Sequence, residues 1–197
     1  MRTEKDKPSL GIYIHIPFCR RKCAYCDFLS FSAGEETIRA YLDALHAQIA
    51  SFEMAGQYRP VSIFIGGGTP SILTGGQIFA LLQEICRRFA IRDPAALEIT
   101  VECNPGTLDA DKLSAMRAAG VSRLSIGVQS LDDTLLRTLG RIHNREVFLQ
   151  SYTLARESGF ANINLDLMSA LPDQTPAMWE ETLLQAAALR PEHISAY

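Results

Sequence analysis

No stretch of this 197-residue chain is apolar for long enough to cross a bilayer as a helix, which takes about 20 such residues. The start, Met1 to Pro8, is polar and lacks the apolar run of a signal peptide. Basic blocks are missing too. Net charge is −3, from 19 Lys and Arg against 22 Asp and Glu, so nothing marks a nucleic-acid partner. There is no linker, low-complexity tract or clear repeat. Five cysteines, three of them between positions 19 and 26, suit a reducing compartment better than a disulfide framework. The expectation is a soluble, cytoplasmic protein with one domain and a sizeable core.

What the chain does have is Cys19-Arg20-Arg21-Lys22-Cys23-Ala24-Tyr25-Cys26, directly after Tyr13-Ile14-His15-Ile16-Pro17-Phe18. Three cysteines at this spacing fit one short loop that can turn three thiolates onto one inorganic centre. Three donors are one short of the four that a closed zinc or iron–sulfur site takes. A cluster held this way keeps one iron open to an outside ligand. Zinc is the rival, because thiolates suit both, and His15 is a candidate fourth zinc ligand. A disulfide pair with a spare thiol is the third possibility. Arg20, Arg21 and Lys22 between the first two cysteines favour thiolates and an anionic cluster.

Strand and helix periodicities alternate along the rest of the chain. Strands are expected over 11–18, 61–65, 97–103, 123–129, 162–168 and 193–197. Helices are expected over 35–55, 77–89, 109–119, 134–139, 146–158 and 178–189. Such alternation implies parallel strands with helical crossovers. The strands are apolar on one side only. Tyr13 and His15 interleave with isoleucines, as do Glu98, Thr100 and Glu102 with Ile99 and Val101. Ser125, Gly127 and Gln129 alternate with Leu124, Ile126 and Val128, and Asn162, Asn164 and Asp166 with Ile163, Leu165 and Leu167. Period two collects each polar set on one face. With helices over the apolar face, the polar face must line something wet or liganded, which a barrel with a polar lumen provides.

The segment Tyr13-x-His15-x-Pro17-Phe18-Cys19-x3-Cys23-x-Tyr25-Cys26 resembles the cluster loop of radical S-adenosylmethionine (SAM) enzymes. More narrowly, it is similar to the oxygen-independent coproporphyrinogen III oxidase family and its haem-chaperone relatives. The resemblance implies an α/β fold, a partial parallel (β/α)6 barrel with its cofactor across the C-terminal strand ends. It also implies that Cys19, Cys23 and Cys26 hold a [4Fe–4S] cluster and that SAM takes the open iron. Reduction, by an electron donor such as a flavodoxin or ferredoxin, then cleaves SAM to a 5′-deoxyadenosyl radical.

Gly66-Gly67-Gly68-Thr69-Pro70 follows an apolar strand. It lacks the Gly-Lys ending of a phosphate loop and by itself reads as a Gly-rich turn. It resembles the family's GGGTP loop, which implies SAM contacts at Gly67, Gly68 and Thr69. Glu102, in Glu102-Cys103-Asn104-Pro105, would alone pass for a solvated strand-end carboxylate. The match implies that Glu102 contacts SAM. Gln129 and Asp166 end the next two strands, and with Arg141 they match positions that contact a second SAM in the oxidase. Arg141 alone reads as a surface charge and Tyr13 as an ordinary barrel-interior residue, although Tyr13 and Tyr25 match aromatic positions at SAM. Cys86 and Trp179 read as packed side chains and His46 as helix surface. Cys103 is left open, and His143 and His193 are candidate haem-iron ligands.

Departures from the family pattern point within it. The oxidase resembles Cys-x3-Cys-x2-Cys-x-Cys, whereas position 28 is Phe, and only a short polar leader, expected over 1–10, precedes Tyr13. Both features resemble the haem-chaperone branch, which implies binding haem and passing it to acceptor proteins; the alternatives are coproporphyrinogen oxidation and a zinc-stabilised binding module. Met168-Ser169-Ala170-Leu171-Pro172 departs further, since the family more often has an aromatic and a glycine before Leu-Pro. The final strand has no following helix, so residues 11–197 are expected to form an incomplete core domain of a longer protein with a further C-terminal domain.

Overall fold

The computed structural model describes residues 7–197, so most of the expected polar leader lies outside the described residues. Six strands, β1 (Ser9–Ile16), β2 (Arg59–Gly67), β3 (Glu98–Cys103), β4 (Arg123–Gln129), β5 (Asn162–Leu167) and β6 (His193–Ala196), form one sheet. They lie side by side in chain order, and every neighbouring pair is parallel. Between them run α1 (Glu35–Ser51), α2 (Gly75–Arg88), α3 (Ala110–Ala118), α4 (Asp133–Thr138), α5 (Arg145–Glu157) and α6 (Pro176–Ala188). The result is a partial (β/α)6 barrel.

All but the first of these helices start where a side chain can take up free backbone N–H groups; α1 begins after Gly34, which has none to offer. Thr74 and Gln77 form a reciprocal capping box on α2. Asp109, Asp132, Asn144 and Thr175 cap α3 to α6. The helix expected over 35–55 is shorter than its apolar pattern suggests. It stops at Ser51, where Phe52 turns extended, and a separate 3-10 turn covers Glu53–Gln57. That break lets Phe52 stack beside Phe89, with ring centroids 5.6 Å apart.

The helices cover the apolar side of the sheet. Ile16, Ile65, Ile99, Val101, Leu124, Ile126, Val128, Ile163, Leu165 and Leu167 are fully buried there against Leu81, Ile85, Leu113, Phe148 and others. Each such side chain contributes about 1.5–3 kcal/mol on burial. Trp179 packs at the edge of this core and Cys86 within α2, as expected.

Arg156 on α5 fixes the approach to β6. It forms an ion pair with Glu192 at 2.9 Å, donates to the carbonyls of Phe160 and Arg190, and sits over the Tyr152 ring. Glu192 in turn accepts from the backbone N–H of Ile163 at 2.9 Å, which ties the turn before β6 to β5.

At the departure after β5, Ala170 adopts φ of 55°, the left-handed region where a Cβ is penalised. Its side chain is exposed and contributes no packing. Replacing Ala170 with Gly is expected to stabilise the fold by roughly 0.5–1 kcal/mol, the relieved strain less the added freedom of the unfolded chain. Urea denaturation checks this as a raised midpoint at unchanged slope.

Candidate functional site

The cysteine loop joins β1 to α1 and is closed on itself at its base. Phe31 N–H donates to Pro17 O at 2.9 Å and Cys19 N–H to Phe31 O at 3.0 Å. The buried Phe18 ring meets Phe31 and Tyr41 edge to face, at 5.5 and 5.2 Å. Between these anchors, Cys26 N–H donates to Cys23 O at 3.2 Å, and Ala24 N–H reaches Leu139 O beyond α4 at 3.1 Å. The loop is therefore held from the base and from the far side of the barrel.

The segment after β2 runs along the same loop. Gly68 N–H donates to Ile16 O and Thr69 N–H to Phe18 O, both at 2.8 Å. No side chain fits at Gly68, because a Cβ there would stand 2.6 Å from Phe18 O and 3.0 Å from Cys19 Sγ. Gly67 has φ of 119°, and a Cβ there would press the His15 ring at 2.7 Å. The glycines are needed because two backbones and a sulfur share this space.

All five cysteines are free thiols, so the disulfide alternative is not realised. Nor does His15 turn toward the sulfurs. Its Nδ1 bonds Tyr13 Oη at 3.0 Å and its Nε2 bonds Leu29 O at 2.9 Å. Among the described residues, no three His, Cys, Asp or Glu side chains converge closely enough to hold a single metal ion. The sulfurs do have polar partners. Arg141 Nη1 donates to Cys23 Sγ at 3.4 Å, Thr69 Oγ1 donates to Cys19 Sγ at 3.5 Å, and Ser30 Oγ lies 3.9 Å from Cys26 Sγ. Three such sulfurs, with no fourth side-chain donor, fit a group that carries its own bridging atoms and keeps one position open.

These sulfurs open into a cavity of about 620 Å³. Its wall is the polar side of the sheet: Phe64, Glu102, Ser125, Gly127, Gln129, Asn164 and Asp166, with Ser195 and Tyr197 beyond. Glu102 accepts from Gly67 N–H at 3.0 Å. Burial pushes its carboxyl up to about 7; the Gly67 N–H pulls against this, and the Asp166 carboxylate adds to it. Asp166 accepts from Ser125 Oγ and Asn164 Nδ2, each at 2.9 Å. Gln129 takes φ of 69° at an irregularity in the β4–β5 register, a strained turn of the kind found at ligand sites.

Of the residues singled out from the sequence, eleven line this one cavity: Cys19, Cys23, Cys26, Tyr25, Gly67, Gly68, Thr69, Glu102, Gln129, Arg141 and Asp166. Tyr13 does not. It stands outside, 56% exposed, stacked on Phe64 and bonded to His15. Arg141 is no loose surface charge, since its Nη2 donates to Asn104 Oδ1 and Gly127 O at 2.7 and 2.6 Å. Cys103 is buried, and its thiol is pushed up to about 12 by that burial. His143 is buried too; burial pulls its imidazole down to about 4, and Nε2 faces Val128 O. His193 is exposed and bonds Asn164. Sequence reasoning missed Asn104, and Ser125 and Asn164 were noted only as members of an alternating pattern. The polar hit at every second strand position was the available signal for the latter two.

Comparison with known proteins agrees with this geometry. A family model for the radical SAM superfamily matches residues 13–186. "Heme chaperone HemW" of Haemophilus influenzae is 43% identical over 196 residues, covering 96% of this chain and 51% of that protein. The mitochondrial "Radical S-adenosyl methionine domain-containing protein 1" of Bos taurus is 36% identical, covering 95% and 42%. The solved coproporphyrinogen III oxidase of Escherichia coli, described as a radical SAM enzyme, superposes with a TM-score of 0.85 at 32% identity, covering 97% of this chain and 44% of that one. The chain thus spans about half the length of the curated relatives it matches. No helix among the described residues is long and apolar enough to cross a membrane.

The raised Glu102 pKa makes stability depend on pH. A carboxyl that binds its proton more tightly when folded contributes fully below its ordinary value of 4.5, and that contribution is lost as pH rises through about 7. Relative to Glu102→Gln, the unliganded protein is expected to lose roughly 2–3 kcal/mol between pH 4.5 and 8. Urea denaturation of both proteins across that range measures it, and parallel profiles would refute it.

Proposed function

The chain belongs to the radical SAM superfamily, and from that premise we propose that Cys19, Cys23 and Cys26 hold a [4Fe–4S] cluster with SAM beside it. We further propose that this is the N-terminal core of a haem chaperone, which binds haem and passes it to acceptor proteins. The observation that carries the proposal is the convergence of three free thiols, the glycine-rich loop and two carboxylates on one cavity. Residues 11–197 form the core domain in this reading, with the rest of the protein continuing beyond it. A cytoplasmic location is part of this proposal, supported by five free cysteines, which suit a reducing compartment.

A cluster held by Cys19, Cys23 and Cys26 would supply one-electron reduction of the SAM sulfonium, with the electron drawn from a donor such as a flavodoxin or ferredoxin. The chain's own residues do the holding. Gly67 and Gly68 let their own segment lie against His15, Phe18 and Cys19, which sets the glycine-rich backbone at the cavity wall. Glu102 and Asp166 offer negative charge to an ammonium or sulfonium, while Gln129, Tyr25 and Thr69 frame the remaining wall. A cation arriving beside Glu102 favours its ionised form, so uptake near neutral pH releases a proton. Tyr13 acts at one remove in this reading, by holding Phe64 and His15.

The haem-chaperone branch is supported by the identity to the bacterial heme chaperones and by Phe28, which stands where the oxidase pattern has a further cysteine. Coproporphyrinogen oxidation is the second reading, favoured by the TM-score of 0.85 to that enzyme.

Anaerobic reconstitution with iron and sulfide is expected to give a brown protein with about four iron and four sulfide per chain. Each single Cys→Ser change at 19, 23 or 26 is expected to abolish it. A colourless protein holding one zinc would refute the cluster. Haem titration of the full-length protein is expected to show retention, with transfer to apo-acceptor. Turnover of coproporphyrinogen III to protoporphyrinogen IX without haem retention would instead establish the oxidase.

A further inference from the structure

Two of the three loop sulfurs receive hydrogen bonds that trace back to the same guanidinium. Arg141 reaches Cys23 Sγ directly through Nη1, at 3.4 Å. Its Nη2 donates to Asn104 Oδ1 at 2.7 Å, and on the other side Asn104 Nδ2 donates to Thr69 Oγ1 at 2.7 Å. Asn104 cannot be flipped without setting its NH₂ group against the guanidinium, so the network fixes its orientation. Thr69 is 3% exposed. With a lone pair of its hydroxyl occupied by Asn104, its proton is free for Cys19 Sγ at 3.5 Å.

The Asn104 backbone is clamped by a second set of bonds whose direction is equally determined. Thr107 Oγ1 donates to Asn104 O at 2.6 Å, Ser71 Oγ therefore donates to Thr107 Oγ1 at 2.5 Å, and Asn104 N–H donates to Ser71 Oγ at 3.2 Å. Lys112 Nζ closes the frame from below through Ser71 O and Thr107 O, at 2.7 and 2.6 Å. Gly127 leaves the space that the Asn104–Arg141 pair occupies, since a Cβ there would stand 2.9 Å from Asn104 Oδ1.

We propose that Asn104 is a positioning residue that hands the charge of Arg141 on to Cys19 through Thr69, so that one guanidinium acts on two of the three sulfurs. Each donor in such a chain is strengthened by the one before it: the cation polarises the amide, the amide polarises the hydroxyl, and the hydroxyl bonds the sulfur. Hydrogen bonds to cysteine sulfur favour the reduced, more negative state of a cluster and raise its potential. The inference rests on the cluster assignment above.

The test is an EPR-monitored redox titration of the reconstituted wild type, Asn104→Leu, Thr69→Val, Thr69→Ser and the Leu/Val double variant. Asn104→Leu and Thr69→Val are each expected to shift the midpoint to more negative potential, with roughly tenfold less reduced cluster at a fixed applied potential for the former. The double variant is expected to shift by less than the sum. Thr69→Ser keeps the hydroxyl and is expected to match wild type. In D₂O, the deuterium shift of the Fe–S(Cys) stretches in the resonance Raman spectrum is expected to diminish in Thr69→Val. A wild-type potential in Asn104→Leu, or full additivity with Thr69→Val, overturns the relay. Should Asn104→Leu take up no iron, Thr69→Val against Thr69→Ser decides, and equal potentials overturn it. A wild type that takes up no iron and sulfide removes the cluster assignment instead, and this inference with it.

Discussion

A parallel sheet that is apolar on one face only has to leave its other face wet, and the site depends on that constraint. Helices α1 to α3, α5 and α6 seal Ile16, Ile65, Val101, Ile126, Val128 and Leu165 away from water. The same strands then have no choice but to point Glu102, Ser125, Gln129, Asn164 and Asp166 at the opposite side. The core is thus also the device that gathers polar groups into a cavity, and a one-residue slip in any strand would exchange the two.

Within that cavity the charges are arranged in two zones. Arg141 faces the sulfurs of the cysteine loop, while Glu102 and Asp166 sit on the strands behind the glycine-rich segment. Burial acts on both zones: it raises the Glu102 carboxyl to about 7, so that a cation is needed to hold its charge, and it leaves Arg141 hemmed in by Asn104, Gly127 and Cys23. A ligand with a positive group at one end and an anionic or polar group at the other would meet complementary surroundings along one line.

The cysteine spacing, the glycine-rich segment and the period-two strands made the architecture and most of the cavity wall legible before any coordinates. These features are local, and each is written in consecutive residues. What escaped was set by contacts distant in sequence. His15 looked like a metal ligand until the Leu29 carbonyl claimed one nitrogen and Tyr13 the other. Arg141 looked like a surface charge because nothing in its neighbours reveals that Cys23, Asn104 and Gly127 surround it. Asn104 was noted only as a neighbour of Glu102, because its partners Thr69 and Arg141 lie 35 and 37 positions away. The end of α1 was misplaced because apolar periodicity runs on through Ala55, while the backbone turns at Phe52 to place its ring on Phe89.

The partners of the loop sulfurs also carry a chronology. Cys19 takes its hydroxyl from a residue 50 positions later, and Cys23 its guanidinium from one 118 positions later. During synthesis from the N-terminus, the loop emerges first and stays unfinished until β2, β3 and β4 have been made and laid beside β1. A nascent chain therefore carries three thiols well before the surroundings that hold them exist. The loop is thus written early in the chain and completed late, after the fourth strand and the helix that follows it.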